Sequence, residues 1–414
     1  MAESVIYVKE RRMILSGHLG DGAASSTQLL RRSNSEILLD LFWSAPDRIF
    51  TATELMERTT LTRVTVLDVC ADLIELEWIC EVATAGSKKN KGRPARRFTL
   101  SETAAFAVGV DIGYHTATVV VADLRGTVRG RSTHRFIDPD DTSTRSSHLY
   151  ALIDRALSDA HVSRQSVGAI CFGVAAPVDR TGHAPSGNTF WDTVDIDPAV
   201  LLHPSDQWAV IVENDANLAA LGEQGRGQID PRSSFVTLLA GERLGAGIVH
   251  DGVLLRGNRG GAGELAYLRF VNGVGDTDGI GLLAREWARS ELADRGPHSL
   301  HTSLEATAEG PVAEDVFAAC AGGDPLASDI VDRLGKRLAL VISTLVGTTD
   351  PHTVIIAGAV AESCDPVIEA VNRHVRTYMA APPRIVASKL GSDAVLIGAV
   401  HAALASVRSS ALSG

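Results

Sequence analysis

The sequence predicts an α/β protein with a small helical head at its N-terminus. Three observations point that way. Across residues 104–408 apolar β-runs alternate with helical stretches, the pattern of sheets backed by helices. One plan of strand, glycine turn, strand and polar turn occurs twice, in Val108–Gly126 ("VGVDIGYHTATVVVADLRG") and again from Ser234 ("SFVTLLAGERLGAGIVHDG"). An internal echo of this kind means two similar halves. Charge is also unevenly divided. Of 39 basic and 50 acidic residues, the first hundred positions hold 14 and 13, which leaves 25 and 37 for the rest, a net of +1 against −12.

At 414 residues the chain has room for two or three domains with real cores, and its 45% hydrophobic content suits a globular protein. It has no run of eighteen apolar residues. Its first twenty residues, "MAESVIYVKERRMILSGHLG", lack the apolar stretch of a signal peptide. The expected location is therefore the cytoplasm, with no membrane partner. The five cysteines, Cys70, Cys80, Cys171, Cys320 and Cys364, form no C-x-x-C pair and read as buried reduced thiols.

Residues 1–30 show no sustained periodicity and are expected to form a flexible leader. A first domain is expected over 31–103. In "NSEILLDLFW" (Asn34–Trp43) Ile37, Leu38, Leu41 and Phe42 share one helical face. "APDRIF" is a turn, and "TATELMERT" gives a short helix with Leu55 and Met56 inward. "LTRVTVLDVCADLIELEWI" then spaces Val66, Val69, Cys70, Leu73 and Ile74 as a longer helix, with Thr62 placed to cap it. Two short helices followed by a longer one are the helix-turn-helix arrangement. The β-pair that follows, "WICEVAT" and "ARRFTLS", is a wing.

The turn of that wing, Gly86–Arg97 ("GSKKNKGRPARR"), holds six basic residues and no acidic one. A helix-turn-helix with a basic wing suits double-stranded DNA. Thr62, Arg63 and Thr65 are offered to a major groove. Lys91, Arg93 and Arg96 suit phosphate, and Arg93 a minor groove.

Residues 104–414 read as one domain of two lobes. "SVGAICFGVAAPVD" is a buried strand and loop, "AVIVENDANLAALGE" a strand running into a helix, and "DPHTVIIAGAV" another buried strand with a glycine turn. Helices are predicted over Pro325–Thr349, Cys364–Met379 and Asp393–Val407.

Several of these stretches carry a specific resemblance. "ENDAN" at Glu213–Asn217 followed by "LAALGE", "GAGE" at Gly261–Glu264, "DPHTVIIAG", and "DIG" at Asp111–Gly113 are similar to motifs of the ROK family (repressors, open reading frames and sugar kinases). The likeness runs over about residues 30–408. It implies a duplicated actin-like, ribonuclease H-like sugar-kinase fold, and a head placed ahead of that fold resembles the repressor branch. The resemblance also implies roles. Asp215 matches the kinases' catalytic base, Asn188, Asn214, Asp215 and Glu264 stand where a sugar effector is bound, and Tyr267 is placed either to stack on or hydrogen-bond that effector or to close the pocket.

Against the kinase pattern the chain departs at both nucleotide loops. The kinases carry Asp-x-Gly-Gly-Thr where this chain has Asp111-Ile112-Gly113-Tyr114-His115, and Gly-Thr-Gly where it has Gly241-Glu242-Arg243. A carboxylate about 4 Å from a triphosphate costs roughly 1 kcal/mol in water and several more when partly desolvated. No ATP and no phosphoryl transfer are expected. The family's Gly-Glu-x-Gly-His appears as Gly263-Glu264-Leu265-Ala266-Tyr267, and its cysteine-rich zinc segment as "VNGVGDTDGIGLL". Zinc needs three or four N, S or O ligands, so no metal is expected either. The sugar-binding glutamate that follows that segment has no counterpart, the region holding Leu282, Leu283 and Ala284.

The reading that results is a transcriptional repressor of sugar or amino-sugar metabolism genes, not an enzyme. It would bind an operator as a homodimer or tetramer and sense a sugar or sugar phosphate. Two alternatives stand beside it: a ligand-blind regulator whose body only oligomerises, and an ATP-dependent sugar kinase.

Overall fold

A computed structural model describes residues 26–83, 96–113, 115–136, 142–179, 181–182, 202–203, 206–227, 229–295, 302–304 and 310–412. The head begins with helix α1 (Ser26–Ser44). It starts eight residues before the predicted Asn34 and so takes up the end of the expected leader, of which residues 1–25 lie outside the described residues. The long-range pair Arg31–Asp72, at 2.7 Å, holds this early part of the helix. The buried face of α1 is Leu38, Leu39 and Phe42, whereas the predicted Ile37 is exposed. The run "ILLDLF" puts apolar residues on both sides of the true face, and only packing chooses between them.

Strand β1 (Phe50–Thr51) leads into α2 (Ala52–Thr59) through a capping box. The Thr51 hydroxyl accepts from the Glu54 amide, and the Thr51 amide donates to the Glu54 carboxylate at 2.7 Å. These bonds to Thr51, with help from Arg48, lower the Glu54 carboxyl to about 2. A cap of this kind contributes about 1 kcal/mol. Helix α3 (Arg63–Glu75) starts at Thr62 as predicted, with the Thr62 hydroxyl accepting from the Thr65 amide. It buries Val66, Val69, Cys70 and Leu73. Strands β2 (Ile79–Glu81) and β3 (Arg97–Leu100) pair antiparallel, and β1 joins the far edge of β3. Three helices and this three-stranded sheet make a winged helix. Lys91 and Arg93 lie outside the described residues.

In the body, one sheet plan is used twice. Strand β4 (Phe106–Ile112) lies between antiparallel β5 (Thr116–Ala122) and parallel β7 (Val167–Val174), with β6 (Val128–Arg135) and β8 (Ala209–Asn214) at the edges. The second lobe repeats the order with β9 (Phe235–Leu239) between β10 (Gly245–His250) and β12 (Thr353–Ala357), and with β11 (Val253–Leu255) and β13 (Arg384–Ala387) at the edges. Central strands β4, β7 and β12 are almost wholly apolar because both faces are covered by helices.

Among the described residues the helices of the body include α4 (Thr142–Asp159), α5 (Asp215–Arg226), α6 (Ile280–Arg295), α7 (Ala313–Ala321), α8 (Pro325–Thr349) and α9 (Asp365–Tyr378). A last helix, α10 (Ala394–Ser410), returns to the first lobe. There it shares one apolar cluster with the head, which holds Leu38, Leu39 and Phe42 as well as Ala399, Ala403 and Val407. Arg408 of α10 also donates to Asp40 of α1 at 2.7 and 3.0 Å. Among the described residues no helix is long and apolar enough to cross a membrane.

Helices α5 and α10 cross with no room between their backbones. A Cβ at Gly398 would lie 1.8 Å from the Leu218 carbonyl oxygen, and one at Gly222 would lie 2.5 Å from that of Ala394. Gly398→Val is therefore expected to lower stability by ~3 kcal/mol, at the upper end of overpacking effects. The check is the urea midpoint; an unchanged midpoint would mean the two helices separate freely.

Candidate functional site

"ENDAN" turns strand β8 into helix α5, and each of its polar residues has a place. Asn214 is the N-cap: its Oδ1 accepts from the Asn217 amide at 3.1 Å and its Nδ2 donates to the Ala176 carbonyl at 3.0 Å. Buried Glu213 accepts from the Asn217 side chain at 2.9 Å and from the guanidinium of Arg256 at 2.6 Å. Arg256 follows β11, so this buried pair ties the second lobe to the first; leaving either partner alone would strand a buried charge. Two glycines let the following loop close on its neighbours. Gly260 (φ +72°) and Gly263 (φ +81°) would each bring a Cβ to 2.0 Å from a carbonyl oxygen, that of Val178 and that of Ala246.

This frame delivers Asp215, half-buried, to the junction of the lobes. One of its oxygens accepts from the Ala216 amide at 2.7 Å. Burial pushes its carboxyl up to about 7, and the charges of Asp111 and Glu264 push the same way. Asp111, near the end of β4, is raised to about 6 by burial and by Asp393. Glu264 caps the short turn Leu265–Phe270, one oxygen accepting from the Ala266 amide at 3.0 Å. Three carboxyls drawn from both lobes thus share one neighbourhood. Such a group can accept hydrogen bonds from hydroxyls or take a proton from one.

Of the residues predicted to hold an effector, the structure brings Asp215 and Glu264 together. The Asn214 side chain is engaged in capping instead. Tyr267 is 74% exposed beside Phe270 (79%), so it stands in solvent rather than against the carboxyls. Asn188 lies outside the described residues.

Glu242 at the tip of the β9–β10 turn is not the bare carboxylate the sequence suggested. Arg285 of α6 grips both its oxygens, at 2.7 and 2.8 Å, and holds its carboxyl below the usual range. What stands in the loop is an ion pair, not a free charge. The chain's own 277–281 stretch packs into the same turn. Arg243 donates to the Thr277 hydroxyl, and the amides of Gly279, Ile280 and Gly281 donate to carbonyls of residues 240–242. In the other loop Tyr114 lies outside the described residues, and His115 is exposed.

The segment 268–284 does not fit zinc. It carries no cysteine or histidine, and among the described residues no group of three His, Cys, Asp or Glu could hold a metal ion. What reaches into it is a cation of another kind. Arg337 of α8, 7% exposed, donates to the carbonyl of Val274 at 2.5 Å and to that of Asp276. Burial lowers its pKa, against the pull of Asp278 and Asp276. The sequence holds a signal for it, since Arg337 falls on the buried stripe of α8 with Ile330, Leu334 and Val341.

On the head, Thr62, Arg63 and Thr65 stand together at the open start of α3. The two threonine hydroxyls share a hydrogen bond at 2.9 Å, and Arg63 is exposed with no ion pair among the described residues. Val64, 69% exposed, stands between them and was not singled out in the sequence. Arg96, expected to suit phosphate, holds Glu81 of β2 at 3.0 and 2.8 Å.

Comparisons with known proteins bear on this geometry. The model of the ROK family matches residues 107–406. A glucokinase of Halalkalibacterium halodurans is 27% identical over 321 residues, 70% of this chain and 92% of the glucokinase. A xylose repressor of Caldicellulosiruptor bescii is 23% identical over 387 residues, 90% of this chain and 95% of the repressor. Among solved structures, a ROK family transcriptional regulator, homologue of the E. coli Mlc protein, shares the fold with a TM-score of 0.66 at 20% identity, over 92% of this chain and 98% of its own. A ROK family glucokinase from Streptomyces griseus, in complex with glucose and AMPPNP, gives 0.58 at 22% identity, over 72% and 98%. With two lobes of one plan and a family match running from residue 107 to 406, the chain belongs to the ROK family.

Proposed function

We propose that this chain is a DNA-binding transcriptional regulator, a repressor of sugar-metabolism genes, whose body senses a sugar or sugar phosphate without phosphorylating it. The observation that carries this reading is the open start of α3, where Arg63 stands exposed on a winged helix seated on a kinase-like body. The likeness to a xylose repressor over most of the chain supports it. The carboxyls of Asp111, Asp215 and Glu264 suit the hydroxyls of a sugar, and a sugar held by both lobes would favour one arrangement of them. The Glu242–Arg285 pair and the filled second loop speak against ATP, and Arg337 against a need for zinc. An operator of two half-sites calls for a homodimer or a dimer of dimers. Its place of work would be the cytoplasm.

A second reading, sugar kinase, has one observation in its favour. Asp215 is raised to about 7, where a general base works at neutral pH.

One experiment weighs both. Fluorescence anisotropy of the full chain is measured on DNA from upstream of its own gene, at about 50 and 200 mM salt. Free sugars and their phosphates are then titrated in. Salt-sensitive binding that one sugar alters supports the sensor. Arg63→Ala is expected to weaken specific binding by ~10- to 100-fold and to leave binding to unrelated DNA nearly unchanged. An unaffected Arg63→Ala would remove α3 from recognition. ADP release on adding ATP, Mg²⁺ and the same sugar would establish the kinase instead.

A further inference from the structure

Between head and body lies a cavity of about 940 Å³ that includes none of the three carboxyls above. Its volume is in the range of small-molecule sites. One wall is α1, through Leu39 and Trp43; the opposite wall is α10, through Leu396, Val400 and Leu404. Five arginines border it, and four have carboxylate partners: Arg32 with Glu36 at 3.1 Å, Arg125 with Glu102 at 3.3 Å, Arg131 with Asp393 at 2.8 Å and Arg408 with Asp40 at 2.7 Å.

The fifth, Arg226 at the end of α5, has no carboxylate partner among the described residues. One of its nitrogens donates to the carbonyls of Arg125 and Gly126 at 3.2 and 2.7 Å, which fixes its position without balancing its charge. Gly126 permits this, since at φ +72° a Cβ there would lie 2.6 Å from that nitrogen. His401 stands in the same cavity; burial and the Arg226 charge lower its pKa, so it supplies no negative charge and little positive charge near pH 7.

An exposed guanidinium held by backbone, with no carboxylate partner among the described residues and bordering a cavity with apolar walls, matches an acidic group on an apolar body. We propose that this cavity is a second ligand site, for a small organic anion with an apolar body, its acid on Arg226 and its body against Trp43, Leu396 and Leu404. Because the walls belong to different domains, an occupant favours one position of the head over others.

The test uses the full chain and two dyes of similar apolar body, anionic anilinonaphthalene sulfonate and uncharged phenylnaphthylamine. Binding of the sulfonate is expected to saturate. Arg226→Gln is expected to weaken the sulfonate at least about tenfold and leave the neutral dye unchanged, while Arg226→Lys keeps most of the sulfonate affinity. Leu404→Trp fills the cavity and weakens both dyes, and it decides the matter if Arg226→Gln fails to fold by circular dichroism. Equal sulfonate affinity in wild type and Arg226→Gln, or dye binding that Leu404→Trp leaves intact, overturns the proposal.

Discussion

Asp215→Asn is expected to stabilise the protein above neutral pH while weakening its response to sugar. The folded state raises the Asp215 carboxyl from 3.8 to about 7, first by burial and then by Asp111 and Glu264. Between those two values the folded chain keeps the proton and the unfolded chain has lost it. Stability therefore falls as pH rises from about 4 to about 7, and the deficit stays in full above that. A shift near three units corresponds to ~4 kcal/mol. Asp111 and Glu264 share that deficit, so Asn is expected to recover ~2 kcal/mol at pH 8 and less at pH 5. The bond from the Ala216 amide survives, since Asn offers an oxygen in the same place. Thermal melts of both proteins across pH 5–8 check this. A wild type as stable as Asp215→Asn at pH 8 would mean that the carboxyls are not held against their charge.

Arg337→Leu is expected to lower stability by ~3 kcal/mol, a fall in Tm of about 3–5 °C. The loss comes from the carbonyls of Val274 and Asp276, which would face an apolar side chain with their charged donor gone. Relief of burying a cation offsets part of it. Arg337→Lys should recover little, because an ammonium cannot hold two carbonyls as a planar fork does. Hydrogen exchange should quicken at the amides of Leu244 and Gly279, which bond across to and from the same segment. A leucine variant as stable as wild type would show that the segment holds itself, and that Arg337 is only accommodated there.

Both predictions turn on residues of different legibility. The carboxyls of Asp215 and Glu264 were readable because each stands inside a short motif. Arg256, Arg285 and Arg337 were not, because their partners are 43, 43 and 63 positions away. The same division runs through the fold. Helices α3 and α8 were legible in the sequence, α3 also through its cap Thr62. The edge strands β6, "VRGRSTHR", and β13, "RIVA", escaped notice because an edge strand shows too short or too polar an alternation. Helix α4 escaped as well, since "TSTRSSHLY" opens with residues that favour caps and turns.

By itself the sequence determined the winged head, the doubled α/β body and the carboxyls of Asp215 and Glu264, since each is written in periodicity or in a few adjacent residues. Only the tertiary structure decided that Glu242 is paired, that Arg96 is paired, that Tyr267 faces solvent and that Arg226 has no carboxylate partner among the described residues. Those outcomes depend on distances between side chains far apart in the chain, and the energy of a charge depends on distance and burial rather than on order in sequence.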